Sequence, residues 1–396
     1  MSRNRSLDIS KSSEISSIRP THVTVDLAQL KKNYQAIQQK VGDRQVMAVL
    51  KANAYGHGLV ETGRYFEQIG IPYFSVAYLE EAIELREAGI QTPILVFGGL
   101  VQEQIAAYLQ YQLTITAPSI EKLEQINQKA GEMGVTAKVH LIFDTGMERL
   151  GVHYYNARDL IQASLTCENC SIEGIYTHFA NADTADLSYS LAQLDRFKKI
   201  LSIYAEINRE PPPLRHMANS GGTLQLEESW FDMVRPGILM YGVYPSAASE
   251  KTIAVKPALR WTSRVVYFKV VEPGHPVSYG STWQSDTPVR VVTLPVGYGD
   301  GYFRALSNQA RVLIRGQEFP VIGRVCMDQT MINIGDQSAW NGDEVTLLGA
   351  DEHGNVIPVE DLAEWSGTIP YEVLTSISRR VPRVYKNSLN SNGQVD

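Results

Sequence analysis

The sequence predicts a (β/α)8 TIM-like barrel followed by a mostly-β C-terminal domain. Three observations predict it. Between Val46 and Gly242, short apolar segments alternate with segments of helical periodicity, the pattern of a parallel sheet. After Tyr244 the rhythm changes to short runs rich in Val, Ile and Thr, separated by turn signals. The polar residues of chemical interest fall where apolar segments end, which is the rim on which barrel active sites are built. An open doubly wound sheet shares the alternation, and the rim placement favours the barrel.

Taken in order, residues 1–20 are rich in serine and arginine and lack the apolar core of a signal peptide. Asp8 and Glu14 count against a transit peptide, so a disordered tail is expected there. His22–Asp26 is strand-like and joins either the barrel or the β domain. The barrel, over 21–244, takes its strands from Val46–Lys51, Tyr73–Tyr78, Ile94–Gly98, Leu113–Ala117, Val139–Asp144, Ile172–Phe179, Leu214–Asn219 and Met233–Tyr241. Tyr78–Ala88, Ile120–Lys129 and Leu187–Ile207 carry helical periodicity between them. The β domain, over 245–385, takes Trp261–Val271, Val289–Leu294, Ala310–Arg315, Glu318–Ile322, Thr330–Ile334 and Glu344–Leu348 as strands. Pro358–Ser366 and Tyr371–Arg380 read as helices, and 386–396 as a loose tail.

Composition excludes several classes. With 396 residues the chain has ample material for a large core in two or three domains. A formal charge of −7 gives no electrostatic case for nucleic acid or an anionic membrane. No apolar run approaches the length of a membrane span. Three cysteines cannot build a disulfide framework, so a cytoplasmic setting is expected. Cys167 and Cys170 form a lone C-x-x-C with no second ligand pair at zinc spacing, and no metal site is expected.

The most informative stretch is Ala48-Val49-Leu50-Lys51-Ala52-Asn53-Ala54-Tyr55-Gly56-His57-Gly58. An apolar run ends in one lysine and breaks into a loop of small residues, tyrosine and glycine. That places an amine at the end of a buried strand, facing a cavity. Lysine forms Schiff bases with carbonyl cofactors, and desolvation lowers its pKa far enough to make it a base. An isolated lysine of this kind more often just reaches water, but these neighbours do not look arbitrary. The stretch resembles the pyridoxal-phosphate attachment site of alanine racemases. Further motifs recur in that family's order, so the resemblance runs from about Thr21 to Tyr385.

The resemblance implies a set of roles. Lys51 holds pyridoxal 5′-phosphate as a Schiff base and is one of two proton-transferring bases; Tyr55 lies at the cofactor. In Asp144-Thr145-Gly146-Met147-Glu148-Arg149-Leu150-Gly151, Arg149 contacts the substrate carboxylate, for which a planar guanidinium is suited. His178 packs on the pyridine ring and orients Arg235, and Arg235 faces the pyridine nitrogen. Arginine keeps its proton, so the ring stays neutral, a weaker electron sink that favours prompt reprotonation at Cα over transamination. Ser220, Gly237, Ile238 and Tyr371 match the phosphate-binding positions. In Val277-Ser278-Tyr279-Gly280, Tyr279 is the second base, contributed in the family by the partner subunit, which implies a homodimer. Tyr279 needs nearby positive charge to act as a base at neutral pH, and Arg149 is the source. The backbone of Met327, in Cys326-Met327-Asp328, binds the substrate carboxylate across the dimer. Gly297-Tyr298-Gly299-Asp300-Gly301 fits a family loop in which Tyr298 narrows the entrance; its spacing is wrong for a dinucleotide fingerprint.

One departure stands out. Many family members carry a lysine, often carbamylated, two residues before this aspartate, and here that place is Ile142. The implied activity is interconversion of L- and D-alanine, supplying D-alanine for peptidoglycan. Rivals are a racemase of serine or a broader set, a non-catalytic pyridoxal-phosphate-binding protein, and a decarboxylase on the same barrel. The decarboxylase uses a glutamate where Arg235 stands.

Overall fold

Alternating buried strands and amphipathic helices over Gln29–Lys256 form one unit of the chain, seen in a computed structural model that describes residues 19–386. Most of the expected 1–20 tail, and 387–396, lie outside the described residues. The second unit takes the residues through Ala28 together with those from Pro257 onward.

Strand β1 (His22–Asp26) belongs to the second unit. The barrel strands are β2 (Gln45–Val49), β3 (Tyr73–Val76), β4 (Ile94–Val96), β5 (Thr114–Ala117) and β6 (Ala137–Asp144), then, past the two-residue β7 (Val152–His153), β8 (Cys170–Tyr176), β9 (Leu214–His216) and β10 (Met233–Val234). Their order is β10-β2-β3-β4-β5-β6-β8-β9, with parallel pairing throughout. Backbone hydrogen bonds from Asp232 N to Arg215 O (3.1 Å) and from Arg235 N to Ala218 O (2.8 Å) join the two ends and nearly close the cylinder. Its interior is packed rather than open: Met47, Tyr73, Leu95, Ile142, Tyr176 and Met233 form one buried cluster.

Helices cover the outer face for legible local reasons. Ile120–Met133 starts where the Ser119 hydroxyl accepts from Lys122 N and stops at Gly134 in the left-handed region. Leu123, Ile126 and Ala130 are its buried stripe.

The expected strand Met233–Tyr241 is corrected to two residues of β10 followed by a 3-10 helix, Ile238–Tyr241. Pro236 and Gly237 intervene, and proline cannot donate to a ladder. Residues 245–256, expected in the β domain, stay with the barrel unit. Thr252 donates to Leu224 O (2.6 Å), and the backbone N–H groups of Glu250 and Lys256 donate to the Gln225 and Asn33 side chains.

In the second unit β1 pairs with β11 (Leu259–Arg264) and β19 (Arg383–Lys386), so the early strand lies in the β sheet, and Lys386 ends a strand. The other strands are β12 (Tyr267–Val271), β13 (Val289–Leu294), β14 (Arg311–Ile314), β15 (Gln317–Ile322), β16 (Thr330–Gly335), β17 (Glu344–Ala350) and β18 (Val356–Ile357). They run β12-β13-β16-β15-β14-β17-β11-β1-β19, with β18 on β17. The expected single strand Trp261–Val271 breaks in two. Val265 N turns to Asp343 O and Val266 N to Thr293 O, so the chain leaves β17 and pairs with β13 instead. Helices Val359–Ser366 and Pro370–Ser376 close this unit. No helix among the described residues is long and apolar enough to cross a membrane, and no group of side chains there is arranged to hold a metal.

Candidate active site

Five of the expected residues stand just past the carboxyl ends of barrel strands: Lys51 after β2, Arg149 after β6, His178 after β8, Ser220 after β9 and Arg235 after β10. The parallel barrel puts those ends on one rim.

Lys51 begins an unusual turn. The next four residues, Ala52, Asn53, Ala54 and Tyr55, all have φ between 51° and 56°. Left-handed backbone costs a residue with a side chain about 1–2 kcal/mol, so four in succession are tolerated only where neighbours fix them. The fixing is visible. Glu81 accepts from Ala52 N at 2.6 Å, and the Asn53 side chain accepts from Leu59 N at 2.9 Å. The turn inverts the chain so that Tyr55 is buried and stacks on Tyr241 at 5.0 Å between ring centroids. The Tyr241 hydroxyl in turn donates to Val49 O. Burial lowers the Lys51 amine's pKa, the Arg149 guanidinium lowers it further, and the Glu81 carboxylate opposes both.

Arg149 sits on a loop organised by Asp144. The two carboxylate oxygens accept from Gly146 N (2.7 Å), Met147 N (3.0 Å) and Arg149 N (3.1 Å). Tyr189 and Arg196 clamp the same loop through Gly146 O and Thr145 O. The Arg149 side chain is exposed and, among the described residues, makes no hydrogen bond or ion pair, which leaves its fork open to a carboxylate. Ile142, at the family's lysine position, is part of the apolar barrel interior.

Arg235 is the most constrained side chain of the rim. It is 3 % exposed and donates to Thr177 O (2.8 Å), Met217 O (3.2 Å), His216 Nδ1 (2.6 Å) and His178 Nδ1 (3.3 Å). Burial lowers its pKa to about 10, which leaves it protonated at neutral pH. His216 passes the pattern on, its Nε2 standing 2.9 Å from His140 Nδ1. Burial, reinforced by Arg235, holds both rings well below the usual histidine range, His140 at about 3, and His178 likewise. Neutral rings fit one assignment: Arg235 donates to His216 Nδ1, and His216 Nε2–H donates to His140 Nδ1.

Ser220 opens the helix Ser220–Gln225 and accepts from Leu239 N (3.3 Å), beside Ile238. A Cβ at Gly237 would collide with the Tyr55 hydroxyl, so only glycine lets that tyrosine approach. Tyr55, Ser220, Gly237 and Ile238 therefore converge on one spot of the rim.

In the second unit, Tyr279, Tyr298 and Met327 are brought together by backbone. Tyr298 N donates to Cys326 O (3.0 Å) and Gly299 N to Met327 O (2.9 Å). The Ser278 hydroxyl ties the Tyr279 turn to the same segment through Arg324 O (2.6 Å). Tyr279 is 72 % exposed, Met327 53 % and Tyr298 42 %. Tyr371 lies on the helix Pro370–Ser376, whose far end is anchored by the Ser376 hydroxyl to Gly301 O. Buried Asp300 accepts from Gly297 N and pairs with Arg19 and Arg380, fixing the Tyr298 loop. The sequence reading did not single out Glu81, Asp144, His140, His216 or Asp300 as functional. Asp144 and Asp300 stood inside motifs already noted, and His216 within the expected strand Leu214–Asn219; Glu81 and His140 carried no local signal.

Comparison with known proteins shows the family. The family model for the alanine racemase N-terminal domain matches residues 25–245, and that for the C-terminal domain matches 258–385. An alanine racemase of Halothermothrix orenii is 41% identical over 373 residues, 94% of this chain and 98% of that protein. The crystal structure of alanine racemase from Bacillus anthracis with bound L-Ala-P superposes with a TM-score of 0.87. It has 35% identity and covers 95% of this chain and 96% of that one. The alanine racemase from Bartonella henselae with covalently bound pyridoxal phosphate gives a TM-score of 0.84 at 29% identity, covering 92% and 99%. With the two domain models matching residues 25–245 and 258–385 and a relative 41% identical over 94% of this chain, the chain belongs to the alanine racemase family.

Proposed function

We infer that this protein is an isomerase that interconverts L- and D-alanine with pyridoxal 5′-phosphate. The observation that carries the reading is Arg235. A permanently charged guanidinium, spent on carbonyl and imidazole acceptors, occupies the place where a decarboxylase of this barrel type uses a glutamate. A donor that keeps its proton leaves the pyridine nitrogen neutral, and that suits proton return to Cα.

The residues present fit the cofactor. Lys51 offers a part-buried amine of lowered pKa, and Arg235 a fixed donor. Ser220, Gly237, Ile238 and Tyr55 offer a hydroxyl, backbone N–H groups and a phenol at one spot, as a phosphate requires. When bound, the cofactor supplies electron withdrawal from Cα, which makes that proton removable. The chain supplies the rest. Arg149 holds the substrate carboxylate. Lys51 Nζ exchanges the proton on one face, taking it from D-alanine. Tyr279 of a second copy exchanges it on the other, taking it from L-alanine. Met327 and Tyr298 of that copy bind the carboxylate through backbone and narrow the entrance.

The homodimer this needs is supported by the exposure of Tyr279, Met327 and Tyr298 together on one unit. A cytoplasmic setting and provision of D-alanine for peptidoglycan complete the proposal. The test is racemisation of L-alanine by the purified protein, with borohydride reduction and peptide mapping. Circular dichroism loss and a reduced adduct on Lys51 are expected. No interconversion, or an adduct elsewhere, overturns the reading. A panel including serine measures its breadth.

A further inference from the structure

We propose that Glu81 is a positioning residue for the reaction, a carboxylate clamp that locks the left-handed turn behind Lys51 to the end of β3 and brings a negative charge to that turn. The inference rests on the reading of Lys51 as cofactor anchor and base. Its observations are independent of that reading.

Glu81 lies in the first turn of the helix Leu79–Glu87. One oxygen accepts from Ala52 N at 2.6 Å. The other accepts from Ala77 N at 2.9 Å and Tyr78 N at 3.3 Å. An N-terminal helix carboxylate usually caps its own helix. Here the same group reaches sideways and holds the residue after Lys51. Ala52 is the first of the four residues with positive φ, so the clamp acts where the backbone departs from its favoured region. Hydrogen bonds to an ionised acceptor are the strong kind, and this one needs both oxygens: one for the turn, one for the strand end. Lys51 is thus attached on one side to β2 and on the other to a point fixed against β3.

The charge has a second effect. The groups facing the Lys51 amine are Arg149, His178 and Glu81. Burial and Arg149 disfavour the ammonium, His178 is held neutral, and Glu81 favours the ammonium. Glu81 therefore limits how far the amine is depressed, which matters for a group that must both take and return a proton.

The test compares Glu81→Gln, Glu81→Asp and the exposed neighbour Glu80→Gln as a control. Glutamine keeps the size but loses the charge and one acceptor. Two readouts are taken. The first is the pH dependence of Lys51 acetylation by acetic anhydride in the cofactor-free full chain, followed by mass spectrometry. The second is kcat and KM for alanine in the holoenzyme. For Glu81→Gln the Lys51 midpoint moves to lower pH, and kcat falls on the order of tenfold to a hundredfold, as for a misplaced reacting group. KM stays within about twofold, because carboxylate binding is Arg149's task. Glu80→Gln matches the parent. A Glu81→Gln protein that loses melting temperature but keeps both the midpoint and kcat shows a merely structural residue and overturns the proposal. If glutamine prevents folding, Glu81→Asp decides: its shorter arm keeps the charge but cannot span Ala52 and Ala77, so kcat falls while the midpoint holds. A parental kcat there overturns the proposal. A parent protein that fails to racemise alanine sinks the functional reading instead, and leaves the Lys51 titration as the measure of Glu81.

Discussion

Tyr279 presents its phenol to solvent on a turn held by Ser278, with Gly280 and Ser281 also at positive φ. Such a turn spends backbone strain to project one ring, and a projected ring is useful only if something meets it. With Tyr279 as the base for one enantiomer and Lys51 for the other, Tyr279→Phe removes Cα exchange from L-alanine and leaves exchange from D-alanine measurable. Deuterium incorporation from solvent, followed by mass spectrometry for each enantiomer, checks this; equal loss in both denies the division of faces. Gly237 makes a companion prediction. Its missing side chain is what admits the Tyr55 hydroxyl, so Gly237→Ala forces either the ring or the Pro236–Ile238 backbone to move. Overpacking of this kind costs about 1–3 kcal/mol, and the displaced phenol leaves the spot proposed for the phosphate. Weaker cofactor retention on dialysis, together with a lower melting temperature, is expected; parental values for both place Tyr55 outside the site.

Among the elements, the loop after β6 shows how an exposed arginine is held whose side chain has no polar partner among the described residues. Asp144 ends the strand and turns its carboxylate back on three backbone N–H groups, the last belonging to Arg149. Asp144→Asn replaces one acceptor oxygen by a donor facing donors. The penalty for an unsatisfied group is about 1–3 kcal/mol, and it falls on the loop rather than on the barrel. KM for alanine therefore rises more than kcat falls, and steady-state kinetics at saturating cofactor reads the split; a pure kcat effect would assign Asp144 elsewhere. The same loop illustrates what was legible beforehand. The Asp144–Gly151 motif marked Arg149, and strand-end placement marked the rim, because each depends on chain-local spacing. All eight barrel strands overlap their expected segments for the same reason, with β2, β6 and β8 beginning one or two residues earlier. Glu81 and His140 were not legible as functional, since their partners are 29 and 76 residues away and no local pattern records such a contact. Met233–Tyr241 was read too long because an apolar run does not reveal that Pro236 and Gly237 end the ladder inside it. The bend at Val265 was hidden likewise: continuous β-rich composition does not say that the pairing partner changes.

At the scale of the whole molecule, two buried histidines, His140 and His216, and the half-buried His178 couple the barrel's stability to pH. His140, His178 and His216 are held well below the ordinary value by burial first and by Arg235 second. The unfolded chain protonates them below about pH 6.5, while the folded barrel refuses the proton until far lower. Between those limits the unfolded state binds more protons, so stability is full above about pH 6.5 and is lost as pH falls, by up to ~1.4 kcal/mol per pH unit for each ring. Carboxylates with depressed values, such as Asp232 and Asp300, act in the same direction but only at lower pH, near the range where unfolded aspartate titrates. The histidines therefore govern the first part of acid unfolding. Urea unfolding of the cofactor-free protein, followed by far-ultraviolet circular dichroism, should show midpoints falling steeply from pH 7 to pH 5. His140→Asn keeps an acceptor for the His216 ring and removes one titrating group, so its midpoint falls about a third less steeply over that window. A parent protein with a flat profile would mean that the barrel takes up protons without unfolding, and that the Arg235–His216–His140 chain is not the neutral relay its hydrogen bonds require.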